Sequence, residues 1–266
     1  MKVLSHSVDV LAATSGGWRI WSLSDGHVDM EASLLRDADD NPFPATVKAD
    51  DLVRLSVNCF VVTGPTVQSI LVDCGAGGSW EPSMGNLEKA MEEAGIDPAS
   101  ITTMALTHTH EDHVSGLLTP DGRGLLPKLK TIVINEAAVE GFFAKAHLEP
   151  FRPLVKPVRD GEKLEEGLQA VALPGHAPGH TGYALKTDED DFLFFGDVVH
   201  VPAKQFADPT VSWAYDHDQP TARETRSKIL RQAASQGTWI AGAHLGRPGI
   251  GRLTSRDGAY TYEPAG

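Results

Sequence analysis

The stretch Thr107-His108-Thr109-His110-Glu111-Asp112-His113 decides the reading of this chain. It sets three imidazoles and the Asp112 carboxylate within six positions, directly after Thr102 to Thr107, a run that reads as a short strand. A strand residue and its i+2 neighbour point the same way, so His108 and His110 can reach one metal ion. The chain then turns, and Asp112 and His113 can face a second ion beside the first. Imidazole and carboxylate are the ligands expected for zinc and its neighbours. A single histidine in a strand is more often a satisfied core or surface residue. A His-x-His-x-Asp-His run is a motif-grade signal for metal.

Further ligands must come from distant loops, and three candidates stand out by their setting. His180 ends Pro174-Gly175-His176-Ala177-Pro178-Gly179-His180, a Gly/Pro-shaped loop between two strands. Asp197 follows the apolar run Phe192 to Phe195 and Gly196, and His244 follows Trp239 to Ala243. Each alone is ordinary; their joint fit with the first cluster makes them ligands. His176 reads as structural, and His6, His27, His147 and His217 as surface residues without a spacing partner.

Around these residues the pattern alternates strands with a few helices. Trp18 to Leu23 reads as a strand closed by the Asp25-Gly26 turn, and residues 36–51 read as a loop. Leu52 to Thr63 and Thr66 to Asp73 form a hairpin across Gly64-Pro65. A helix capped by Asn86 runs to Ala94 and stops at Gly95. Thr131 to Ile134, Leu168 to Leu173, Thr181 to Lys186, Phe192 to Phe195 and Thr238 to Ala241 read as strands. Glu136 to Ala146 and Thr221 to Gln236 read as helices. The layout fits two sheets packed face to face with helices outside, in one domain covering residues 1–266.

In that order, His108 to His113, His180, Asp197 and His244 resemble the metallo-β-lactamase superfamily, over nearly the whole chain. The resemblance implies an α/β fold, an αββα sandwich of two mixed sheets flanked by helices, with the metal site on one edge. It implies that His108, His110 and His180 hold a first metal, that Asp112, His113 and His244 hold a second, and that Asp197 bridges them. Asp73, in Leu71-Val72-Asp73-Cys74-Gly75, then hydrogen-bonds a ligand and fixes its orientation. Trp21-Ser22-Leu23-Ser24-Asp25-Gly26, Gly196-Asp197-Val198-Val199-His200-Val201, Gln205-Phe206-Ala207-Asp208-Pro209 and Pro248-Gly249-Ile250-Gly251 are similar to a methyl parathion hydrolase-like branch. That branch is similar in turn to the N-acyl-homoserine lactonases. These carry a substrate-touching Tyr three positions after the bridging Asp, and His200 stands there here. The candidate catalytic residues are therefore Asp112, Asp197 and His200.

The implied cofactors are two divalent ions, zinc first, with manganese, cobalt or iron as alternatives. Seven ligands leave room for a bridging water, whose pKa two cations lower toward neutrality. Two zinc ions balanced by Asp112, Asp197 and hydroxide leave a centre of about +1, suited to a neutral C=O or P=O group. The leading reading is hydrolysis of a lactone, aryl ester or phosphotriester. β-Lactam hydrolysis is a second reading, weakened because Asp197 stands where zinc β-lactamases often use Cys. Thioester hydrolysis of the glyoxalase II kind is a third, for which the 22 residues after His244 are few. A di-iron redox protein and a non-catalytic metal-binding module are the other classes. Trp80, Phe142, Phe143, Phe151, Phe206 and Trp213 are candidate pocket aromatics, with Trp80 and Met84 as lid residues. Lys204 and Arg247 lie near ligands and read as solvated cations.

A net charge of -13 disfavours nucleic acid and anionic membranes as partners, leaving a small-molecule substrate and room for a homodimer. With 41% hydrophobic residues a full core can be built. No apolar run reaches the roughly 20 residues a membrane helix needs. Met1 to Ala13 does not read as a secretory signal, which points to the cytoplasm, although a processed secreted chain would look the same. The two cysteines, Cys59 and Cys74, lie in apolar runs and read as buried thiols.

Overall fold

The computed structural model describes residues 1–48, 50–66, 68–165 and 167–266. Val67, inside the expected strand 66–73, and Ala49, inside the expected loop 36–51, lie outside the described residues. The first sheet has eight strands, in the spatial order Lys2–His6, Val10–Ser15, Trp18–Glu31, Leu52–Thr63, Ser69–Val72, Ile101–Ala105, Thr131–Asn135 and Val155–Val158. Pairing is antiparallel as far as Ser69–Val72 and parallel beyond it. The second sheet has seven, Lys163–Glu165, Leu168–Ala172, Thr181–Lys186, Asp191–Gly196, Trp239–Gly242, Ile250–Arg256 and Ala259–Pro264. Here, among the described residues, the one parallel pair joins Asp191–Gly196 to Trp239–Gly242.

Both sheets bury one face against the other. Ile20, Phe60, Val62, Ile70 and Val72 of the first meet Ala170, Tyr183, Leu185, Phe192 and Phe194 of the second. The outer face of the first sheet is covered by Leu87, Ala90 and Met91 of the helix Leu87–Glu93 and by Phe142 of the helix Val139–Phe143. The helix Gln219–Gln236 covers the outer face of the second through Ile229, Leu230 and Ala233. Helix, sheet, sheet, helix is the expected αββα sandwich of two mixed sheets. Alternating apolar residues produce it, because each strand must bury one face.

Three elements differ from expectation. Asp25-Gly26 does not close the first strand; it is a bulge, with Gly26 at φ 126°, and pairing with Leu52–Thr63 continues to Glu31. Asn86 stands at the N-cap position, as expected, but its side chain makes no capping bond. Its side chain donates to the carbonyls of Asp25 and Ser83, while Asp25 Oδ1 accepts the Leu87 N–H at 3.1 Å. The expected helix 136–146 is a 3-10 turn, Glu136–Ala138, followed by the short helix Val139–Phe143.

The parallel pairs place the site. Neighbouring parallel strands end on the same side, and polar groups at those ends face the loops beyond the sheet. Ser69–Val72 and Ile101–Ala105 deliver Asp73 and Thr107 together, and the Asp73 N–H bonds the Ala105 carbonyl at 3.1 Å. Asp191–Gly196 and Trp239–Gly242 deliver Asp197 and His244 in the same way. The Thr181 N–H bonds the Thr107 carbonyl at 2.9 Å, and the Asn58 N–H the Ala243 carbonyl at 2.9 Å, so the two sets of ends meet.

Candidate metal centre

Asp197 is the hub of a buried cluster. Its Oδ2 lies 3.0 Å from His244 Nε2, 3.3 Å from His176 Nε2, 3.3 Å from His200 Nε2 and 3.7 Å from His108 Nε2. Its Oδ1 lies 3.2 Å from His113 Nε2. Asp112 Oδ2 is 3.4 Å from His244 Nε2 and 3.6 Å from His113 Nε2. His110 Nδ1 is 3.0 Å from His176 Nε2. Donor atoms this close include two main sets, His108, His110, His176 and Asp197 on one side and Asp112, His113 and His244 on the other, while His200 lies within reach of both, with His176 and Asp216 and with Asp197 and His244. His108 Nε2, His113 Nε2 and Asp197 Oδ1 are buried without a hydrogen-bond partner. Leaving such an atom unpaired costs about 1–3 kcal/mol, which a cation taking the electron pairs would offset.

The other ring nitrogens explain which atoms are left free. His113 Nδ1 donates to Asp73 Oδ2 at 2.9 Å, His176 Nδ1 to Asp216 Oδ1 at 2.8 Å and His244 Nδ1 to the Ser56 carbonyl at 2.8 Å. Thr107 Oγ1 donates to Asp73 Oδ2 and so accepts from His108 Nδ1 at 3.1 Å. Nδ1 of each ring is thus a donor, so that in the neutral ring the Nε2 lone pair is aimed inward, available to a cation that displaces any proton there. Asp73 meets the expectation of a carboxylate behind a ligand. It does so from φ 56°, a conformation non-glycine residues seldom adopt, where its Oδ1 also accepts the Thr107 N–H.

His180 departs from expectation. Its Nδ1 donates to the Leu173 carbonyl at 2.9 Å and its Nε2 accepts the Asp197 N–H at 3.2 Å. Both nitrogens are spent on backbone, and among the described residues His180 belongs to none of the donor sets. His176, read from the sequence as structural, occupies the place expected for His180. The remaining expected residues, His108, His110, Asp112, His113, Asp197 and His244, are brought together, and His200 joins them.

The sequence profile of the metallo-beta-lactamase superfamily matches residues 52–244, which spans both donor sets. The chain belongs to this superfamily. A hydroxyacylglutathione hydrolase of Vibrio parahaemolyticus is 30% identical over 118 residues, 43% of this chain and 40% of that protein. Metallo-beta-lactamase domain-containing protein 1 of Xenopus laevis is 32% identical over 126 residues, 47% of this chain and 46% of that protein. The match thus spans less than half the length of these curated relatives. Among solved structures, the hydrolase AbOPH of the beta lactamase superfamily superposes with a TM-score of 0.87 at 27% identity, covering 98% of this chain and 99% of its own. AidC, a dizinc quorum-quenching lactonase solved with a homoserine product, superposes at 0.82 with 21% identity, covering 97% and 98%.

In this superfamily member, burial and charge set the titration of the cluster. Burial and neighbouring imidazoles push His110 down to about 4 and His180 down to about 3. Burial pushes His200 down to about 4, so its ring is neutral at pH 7. Burial opposes charge on His176 too, but the carboxylates of Asp197 and Asp216 raise it to about 9. Burial opposes ionisation of Asp197, yet His113, His244 and His108 hold its carboxyl well below the usual range.

The cluster opens on a cavity of about 420 Å³. His110, Asp112, His176, Asp197, His200 and His244 form its floor, and Met30, Leu55, Trp80, Trp213 and Tyr215 its walls. Trp80 and Tyr215 stand at the mouth, 43% and 58% exposed. His200 stacks on Trp213 with centroids 5.3 Å apart and planes 12° from parallel. Of the expected pocket aromatics, Trp80 and Trp213 line it. Phe142 and Phe206 are core residues, Phe143 and Phe151 pack against the core, and Met84 is buried. Arg247 is no solvated cation, since it bonds the Val8 carbonyl, Ser22 Oγ and Asn58 Oδ1. Cys59 and Cys74 are buried free thiols. Among the described residues, no helix is long and apolar enough to cross a membrane. Met30, Leu55, Tyr215 and Lys145 were not legible as site residues, because single apolar or charged positions carry no spacing signal.

Proposed function

We propose that this protein is a dinuclear metal hydrolase that cleaves an uncharged ester-like bond in a lactone, aryl ester or phosphotriester. The convergence of inward-facing Nε2 atoms and the Asp112 and Asp197 carboxylates on the floor of an apolar-walled cavity carries this reading. His108, His110, His176 and Asp197 would hold one cation, and Asp112, His113, His244 and Asp197 the other. Bound there, two divalent cations would supply Lewis acidity and lower the pKa of a water toward neutrality. The chain's own groups do the rest. Met30, Leu55, Trp80 and Trp213 take up the apolar part of the substrate and exclude water. His200, neutral and held flat against Trp213, orients the substrate oxygen by hydrogen bonding. Asp112 lines the cavity, where it can take the proton released by the attacking water and pass it to the departing oxygen.

Charge favours this substrate class over anionic ones. Among the described residues, the one lysine or arginine lining the cavity, Lys145, is ion-paired with Glu111. Away from the metal centre itself, a substrate carrying carboxylates, such as a glutathione thioester or a β-lactam, meets no unpaired lysine or arginine among the described residues lining the cavity. The AbOPH and AidC likenesses support the hydrolase class. Protein reconstituted with zinc, manganese, cobalt or iron, with metal content measured, should turn over neutral lactones, aryl esters or a phosphotriester faster than a glutathione thioester or a β-lactam. A fully metallated sample that turns over none of the neutral substrates defeats the reading.

A further inference from the structure

The helix Gln219–Gln236 buries an arginine under the site. Arg226 and Asp216 have side chains 1% and 0% exposed, and Asp216 stands behind Asp197's neighbours, in a donor group with His176 and His200. Arg226 Nε donates to the Val198 carbonyl at 2.7 Å. Its Nη1 donates to the Val211 carbonyl at 2.6 Å and the Pro209 carbonyl at 3.3 Å, and its Nη2 to Asp216 Oδ2 at 3.3 Å. A guanidinium out of water is strongly unfavourable unless its donors are met. Here a carboxylate and three carbonyls meet them, all from the segment 198–216. Asp216 spends its other oxygen on His176 Nδ1 and takes the Trp213 N–H on Oδ2 at 3.0 Å. The segment between these anchor points carries His200 and Trp213, both on the cavity wall.

We propose that Asp216 and Arg226 are positioning residues for the centre. Asp216 fixes the tautomer and direction of His176, while Arg226 holds Asp216 and, through the three carbonyls, the wall that carries His200 and Trp213. One guanidinium thereby sets a donor to the cation and a contact to the substrate together. His113 is backed by Asp73 without any arginine, so the two halves of the centre are supported differently. The proposal rests on His176 being a metal-holding side chain.

The test compares zinc-loaded wild type, Asp216→Asn, Asp216→Glu and Arg226→Lys. Zinc retention against a graded chelator, melting temperature, and kcat and KM on a neutral aryl ester are measured. Asp216→Asn presents an amide where Arg226, Trp213 and His176 all donate. It should hold one zinc as wild type does and the other on the order of 10–100-fold more weakly. Asp216→Glu should recover part of the loss. Lysine cannot meet three carbonyls and a carboxylate, so Arg226→Lys should weaken the same zinc ion, less than Asp216→Asn does, and raise KM more than it lowers kcat. Asp216→Asn with both ions at wild-type affinity overturns the role of Asp216, and an unchanged KM in Arg226→Lys overturns that of Arg226. Should Asp216→Asn not fold, nitrogen-15 spectra of labelled histidine in zinc-loaded wild type decide. A proton on His176 Nδ1 supports the proposal, and its absence there overturns it. Wild type that takes up no zinc defeats the metal-centre reading itself, a result distinguishable from each of these.

Discussion

His176 and His180 sit four positions apart in one Gly/Pro loop, and nothing in their composition separates them. Backbone accounting does. His180 directly precedes the strand Thr181–Lys186, under Gly196, where a Cβ would lie 2.7 Å from His180 Nε2. The hydrogen bonds of a ring held there go to main-chain groups, the Leu173 carbonyl and the Asp197 N–H. His176 lies one turn earlier, where Asp216 catches its Nδ1 from a segment 40 residues away. Such a long-range partner leaves no mark in the sequence, whereas the His108–His113 spacing was legible because those donors are local. The two variants therefore separate. His176→Ala should lose about one zinc equivalent of two and reduce kcat/KM by at least ~100-fold. His180→Ala should keep two and lose about 2 kcal/mol of stability, from the unpaired Asp197 N–H and Leu173 carbonyl. Metal analysis beside thermal melts reads both, and the reverse pattern would restore His180 to the cage. His200→Ala should retain both ions and change kcat; loss of an ion would make the ring a ligand.

Among elements, the strand Trp18–Glu31 shows what alternation reveals and what it hides. Its first six residues were legible as a strand, but Asp25-Gly26 carries the composition of a turn. Buried contacts override that signal. The Asp25 carboxyl accepts the N–H groups of Ala76, Gly85 and Leu87, and so ties the bulge to the segment that carries Trp80 and to the helix Leu87–Glu93. The strands Lys2–His6, Ile250–Arg256 and Ala259–Pro264 were not legible either, since several of their residues are exposed and the alternation is weak. Burial raises the Asp25 pKa from 3.8 to about 6 against the pull of those N–H donors. The folded state then binds a proton more tightly than the unfolded chain. Asp25's contribution is therefore greatest below about pH 4, falls as pH rises to about 6 and is flat above it. The full span is on the order of 3 kcal/mol. Stability curves of metal-free wild type and Asp25→Asn should converge or diverge across that window by a comparable amount. A difference that stays constant from pH 4 to 7 would mean that the carboxyl does not titrate there.

At the scale of the molecule, the two sheets share a core and a site. His108 to His113 follow strands of the first sheet, and His176, Asp197 and His244 follow strands of the second. Cations held by both sets are cross-links between the sheets. We read residues 1–266 as one cooperative unit on this ground, since the core between the sheets joins residues as distant as Leu11 and Ile250. A ligand that binds only the folded state stabilises it by mass action, by about 2.7 kcal/mol per site at a free concentration 100 times Kd. For a chain of this size that is roughly 5–10 °C per site. Zinc should therefore raise Tm in a concentration-dependent way, chelation should reverse it, and calorimetry should show one transition in both states. Two separate transitions, with zinc moving only one of them, would divide the chain into units and confine the ligands to a single sheet.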